Sequence, residues 1–126
     1  MDSSTLIRFL KGEEKVNKLK KEILEGVDEL RRNLNKKGYS SSIYLNDDGK
    51  KFIVKKWHIQ KLCDFYLNND LDQVELCYLT TAMELCEGIV FESDDIEDAI
   101  SLLSSDPDPN YPLNKKELFE IIENIG

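Results

Sequence analysis

Residues 71–86 constrain the fold most, because they are apolar on two sides at helical spacing. One row is Val74, Cys77, Tyr78, Thr81 and Leu85, and a second is Leu76, Leu79, Met83 and Cys86. A helix that is apolar most of the way round belongs in the middle of a domain. The rest of the chain is therefore expected to wrap around it.

The flanking segments carry single apolar faces suited to that task. Ser3 or Ser4 caps a short helix with Leu6, Ile7, Phe9 and Leu10, which Gly12 breaks or bends. A long helix follows, from about Glu13 to Lys37, with Val16, Leu19, Ile23, Leu24, Val27, Leu30 and Leu34 at steps of three and four. Phe9, Val16, Ile23 and Leu30 lie seven apart, but the companion seam of Gly12, Leu19, Gly26 and Asn33 is poor for a coiled coil. An amphipathic helix packed on its own domain is the better reading. Lys36 and Lys37 suit its C-terminal end and Gly38 its cap.

Ile43, Tyr44 and Leu45 are separated from Phe52, Ile53 and Val54 by a segment containing Asp48-Gly49, a hairpin signal. A helix is expected from Lys55 to about Leu67, with Ile59, Leu62, Cys63 and Tyr66 inward, and Asn68-Asn69-Asp70 breaks it. Gly88 ends the central helix, and Ile89, Val90 and Phe91 form a short extended link. Asp94 and Glu97 read as a capping box for a helix over 95–104 with Ile96, Ala99, Ile100 and Leu103 on its core face. Three prolines, Pro107, Pro109 and Pro112, stiffen the next loop. Asn114 and Glu117 then cap a last helix with Leu118, Ile121, Ile122 and Ile125. The expected fold class is mainly α (α+β), a single-domain bundle of about five helices with one small β-hairpin. It comprises mixed-charge helices over 3–37, the hairpin over 41–54 and an acidic helical part over 55–126.

Charge divides the chain. Residues 1–61 hold 15 basic and 9 acidic groups, a balance of +6, and residues 62–126 hold 2 basic and 16 acidic groups, a balance of −14. Residues 62–114 contain no Lys or Arg. A folded surface of one sign repels itself, and a partner of opposite sign is the usual reason to keep it. Phosphate repulsion disfavours direct nucleic-acid binding by this half. In the first half, basic and acidic residues interleave as helix-surface pairs, not as a phosphate-binding stripe. No stretch approaches the roughly 20 apolar residues that span a bilayer, and the N-terminus has no signal-peptide pattern. Cys63, Cys77 and Cys86, an odd number in apolar helical settings, read as buried thiols in a reducing compartment. A cytoplasmic protein without cofactor is expected.

The sharpest local pattern is Asp106-x-Asp108-x-Asn110-x-Pro112-Leu113-Asn114-x-x-Glu117, the ligand spacing of an EF-hand calcium loop. Tyr111 stands where that loop needs Gly, Pro107 and Pro109 replace flexible positions, and no second loop pairs with it. The reading taken is no metal site, with calcium at Asp106, Asp108, Asn110, Pro112, Asn114 and Glu117 as the alternative. His58, Cys63, Cys77 and Cys86 lack zinc spacing, and His58 and Cys63 fall on different helix faces. No catalytic residues are found. The acidic face remains, as a decoy for a cationic groove such as a nuclease site. Its expected contacts are Glu92, Asp94, Asp95, Asp98, Asp106 and Asp108, with Phe91 and Tyr111 as aromatic anchors.

Three runs within residues 71–122 carry a resemblance. They are Tyr78 to Leu85, Val90 to Asp98, and Leu102 to Pro109 followed by Pro112-Leu113. Their succession of apolar helix, acidic helix, Pro-Leu turn and final helix resembles small bacterial immunity proteins of polymorphic or contact-dependent growth-inhibition toxin systems. The resemblance implies a non-enzymatic protein that binds and neutralises a cognate toxin domain, often a nuclease, with no nucleic acid or membrane as direct partner. A helical adaptor that dimerises through its long N-terminal helix is the other alternative.

Overall fold

The computed structural model describes residues 1–34, 43–105, 107 and 111–125. Among them are six helices and two short strands: α1 (Ser3–Leu10), α2 (Val16–Asn33), β1 (Phe52–Val54), α3 (Lys56–Leu67), α4 (Gln73–Leu85), β2 (Ile89–Phe91), α5 (Asp94–Leu103) and α6 (Lys115–Glu123). The expected mainly helical α+β class is what the chain adopts, with one more helix than the count of about five.

The expected core helix is central. α4 buries nine of its residues, including Leu76, Tyr78, Leu79 and Met83, and packs between α2 and α5. It starts at Asp72, whose side chain accepts the Glu75 N–H at 2.8 Å while Glu75 Oε1 accepts the Asp72 N–H at 2.9 Å. This reciprocal pair satisfies two N–H groups that the helix itself cannot. Asp72-x-x-Glu75 is a capping box by its sequence spacing as well as by its geometry.

α2 presents Leu19, Ile23 and Val27, one residue per turn, to the core. Apart from Leu24, which is 57% exposed, its apolar face is thus spent within its own domain. Gly26 lies on that face for want of space, since a Cβ there would sit 2.3 Å from the Tyr78 hydroxyl oxygen. Gly12, at φ +83°, separates α1 from α2 as expected. Lys36, Lys37 and Gly38, expected to finish α2, lie outside the described residues.

The hairpin expectation is corrected. β1 pairs with β2, in parallel, with Phe52 opposite Ile89, Ile53 opposite Val90 and Val54 opposite Phe91. Gly49 takes the positive φ expected of it, +81°, but residues 43–45 do not fold back onto β1. That segment instead meets the N-terminus. The Ser3 N–H donates to Asn46 O and the Asn46 N–H to Met1 O, both at 2.9 Å. The Ser3 hydroxyl donates to Asp48 Oδ1 at 2.6 Å. Hydrogen bonds to Ser3 and Ser4 hold the Asp48 carboxyl down to about 2. The loop thereby ties down the start of α1, and β1 takes β2 across an α3–α4 crossover, which a parallel pair requires.

Of two further caps, one differs from expectation and one does not. Ser93, not Asp94, caps α5, its hydroxyl accepting the Ile96 N–H at 3.4 Å. Asn114 caps α6 as expected, accepting the Glu117 N–H at 2.8 Å.

Candidate functional site

Ser93 fixes the start of α5, and the residues after it are acidic. Asp94, Asp95 and Glu97 occupy the first turn, and Asp98 follows. All four are exposed, while Ile96, Ala99 and Ile100 between and beyond them are buried. The positive end of the helix dipole favours the three first-turn carboxylates, so part of their mutual repulsion is offset locally. Glu92 lies just before the helix, with its N–H bonded to Val54 O at 3.0 Å and its carboxylate 3.8 Å from Lys55 Nζ.

The described ion pairs draw every cation from residues 1–61. Arg8 and Lys18 pair with Glu14, Lys20 with Glu75, Arg31 with Asp72, and Lys55 with Glu92. None reaches Asp94, Glu97 or Asp98. Of the expected contact residues, Glu92, Asp94, Asp95 and Asp98 therefore gather at one strand-to-helix junction. Phe91 is half-buried in β2 and packs against the core. Tyr111 is 80% exposed. Asp106 and Asp108 lie outside the described residues, as does Asn110 of the calcium alternative, while Asn114 is engaged as the α6 cap.

The thiols and the single histidine belong to the packing. Cys63, Cys77 and Cys86 are buried thiols, and Cys77 Sγ donates to Ser104 O at 3.3 Å. Burial, then the charge of Asp64, pushes the Cys63 thiol up to about 12, which leaves it without thiolate at neutral pH. Among the described residues no group of three His, Cys, Asp or Glu is placed to hold a metal ion. Also among them, no helix is long and apolar enough to cross a membrane.

His58 is buried, with its ring centroid 4.8 Å from that of Phe52 and 3.7 Å from that of Trp57. Its Nδ1 accepts the Lys55 N–H at 2.8 Å, which requires the neutral imidazole. Burial lowers its pKa, and the charges of Lys61 and Lys55 add to that, while Glu92 acts the other way. The unfolded chain, with a histidine near 6.5, then binds more protons than the folded one as pH falls below about 6.5. Stability is expected to fall on that side with a slope of at most about 1.4 kcal/mol per pH unit. Proton NMR of the only histidine gives its pKa directly, and urea titrations at pH 7.5 and 5.5 should show a loss that His58→Gln reduces.

Sequence reasoning missed a second surface. Ile53 on β1 and Val90 on β2 are register partners with about half their surface exposed, and Trp57 at the start of α3 is 49% exposed. The alternation Lys51, Ile53, Lys55 was the available signal, since period 2 puts these three on one face of a strand. No family model matches the chain, and no curated protein and no solved structure matches it either.

Proposed function

We propose that this chain is a non-enzymatic inhibitor of the immunity type. It binds and neutralises a cognate basic toxin domain, nuclease in character, through the acidic junction at the start of α5, and it acts in the cytoplasm. The observation that carries this reading is the exposed cluster of Asp94, Glu97 and Asp98, to which no described cation is paired. The negative potential of the cluster is therefore open to a partner. A cationic groove that holds phosphate offers complementary charge, and a small acidic domain can enter it under electrostatic steering.

With the toxin domain in hand, stopped-flow association at low salt tests the reading. Asp94→Lys, Asp95→Lys and Asp98→Lys combined are expected to slow association by roughly tenfold or more, with the difference shrinking at high salt. The lysines also oppose the helix dipole, so a thermal melt and the corresponding Asp→Asn triple variant separate lost folding from lost steering. An association rate indifferent to all three reversals would sink the proposal.

A further inference from the structure

β1 has a neighbour on one side only among the described residues. The Phe52 N–H donates to Gly88 O at 2.9 Å, and Val54 O accepts the Glu92 N–H at 3.0 Å. Phe52 and Val54 thus spend their backbone groups on β2, and the register turns the N–H and C=O of Ile53 toward the opposite edge. A shallow cleft of about 570 Å³ runs there. Its walls include Phe52 and His58 from one side of the pleat, Ile53 from the other, and Trp57 from α3. A groove lined from both faces of a strand lies along that strand's edge.

The rim is basic. Lys11, Lys51 and Lys55 all line the cleft. Among the described residues, Lys55 reaches Glu92 at 3.8 Å, while the ammonium groups of Lys11 and Lys51 have no ion-pair partner. In a chain of net charge −8, cations left unpaired beside an exposed tryptophan make this face the opposite of the α5 junction. Lysines beside an edge strand also discourage two copies from pairing edge to edge. That accounts for the charge but not for the half-exposed Ile53 and Trp57.

We infer that the outer edge of β1 is a docking groove for an extended acidic segment of a protein partner, which adds to the sheet as a third strand. The segment's backbone bonds to the Ile53 N–H and C=O, its carboxylates meet Lys11 and Lys51, and an apolar side chain between them covers Ile53 and Trp57. This site adjoins the acidic junction through the Lys55–Glu92 ion pair and takes a partner of the opposite charge.

Trp57 is the only tryptophan, so its fluorescence reports on the groove alone. The probe is a capped heptapeptide alternating valine and glutamate, titrated into the full chain at pH 7.5. The expected result is a saturable emission change with a dissociation constant below about 1 mM. Ile53→Pro removes the outward N–H together with the exposed Ile53 side chain and leaves the β2 ladder its donors, and it should weaken binding roughly tenfold. Lys11→Glu with Lys51→Glu should do the same through charge. Circular dichroism shows that each variant is folded. The inference is overturned by no saturable change, by equal binding of the valine–lysine peptide, or by full binding to folded Ile53→Pro. It is equally overturned if the emission change follows self-association in sedimentation, or if oligothymidylate produces it in place of the peptide.

Discussion

Gly88→Ala is expected to destabilise the protein by about 3 kcal/mol or more, at the upper end of what overpacking costs. A Cβ on Gly88 would sit 1.8 Å from the backbone O and 2.8 Å from the backbone C of Lys50. Neither can swing aside as a side chain would. One strand must retreat, and the Phe52 N–H bond to Gly88 O goes with it. Ile89 and Val54, buried on the inner face of the pair, then lose their fit. Gly49 is the contrast, because its φ of +81° strains an alanine but no atom lies within 4 Å of the added Cβ. Its replacement should cost about 1–2 kcal/mol, the usual penalty of a left-handed backbone. Urea denaturation of both variants measures the difference. Gly88→Ala within about 0.5 kcal/mol of the parent would mean that the Lys50 backbone does not lie against Gly88 as described.

Tyr78→Ala should cost about 3–5 kcal/mol, the range for emptying a large aromatic site in a core. Tyr78 is 1% exposed, and its ring lies over Gly26 on α2. Its hydroxyl accepts the Tyr44 N–H at 2.9 Å, so the ring joins three parts of the chain: α4, α2 and the segment before β1. Tyr78→Phe keeps the ring and loses that bond, at about 1 kcal/mol. The partner substitution reverses an ordinary rule. Glycine to alanine inside a helix normally gains about 1 kcal/mol, yet Gly26→Ala should destabilise, because the new methyl would lie 2.6 Å or less from ring and hydroxyl atoms of a fully buried tyrosine. Combining Gly26→Ala with Tyr78→Leu should be less harmful than the sum of the two. That non-additivity, read from equilibrium unfolding, is the signature of direct contact.

These two sites show where the chain was legible as sequence. Helix faces were readable because their apolar residues recur at helical spacing within each segment, as Leu19, Ile23 and Val27 do on α2. The Asn114 cap was readable for the same local reason, and the start of α5 was misplaced by one residue because Asp94 and Ser93 are both good caps. The parallel pair was not readable. Asp48-Gly49 announces a turn, but nothing local says that Phe52–Val54 must cross two helices to reach Ile89–Phe91. The reason Gly88 is glycine lies in the backbone of Lys50, distant in sequence. The acidic character of Asp94, Asp95 and Asp98 was plain from composition, whereas the pairing of Asp72, Glu75 and Glu92 with distant cations needed the fold. The Trp57 groove was hidden by the hairpin expectation, which paired the β1 segment with residues 43–45.

The central claim, an acidic inhibitor of a basic protein domain, is tested most directly by affinity capture from the native cell. The full chain serves as bait at low and high salt, with calcium or with chelator, and captured proteins are identified by mass spectrometry. The account predicts one stoichiometric basic partner, retained at low salt, lost at high salt, indifferent to calcium, and released by the Asp94, Asp95 and Asp98 reversals. Capture of no basic partner, or of a partner that requires calcium, would contradict it.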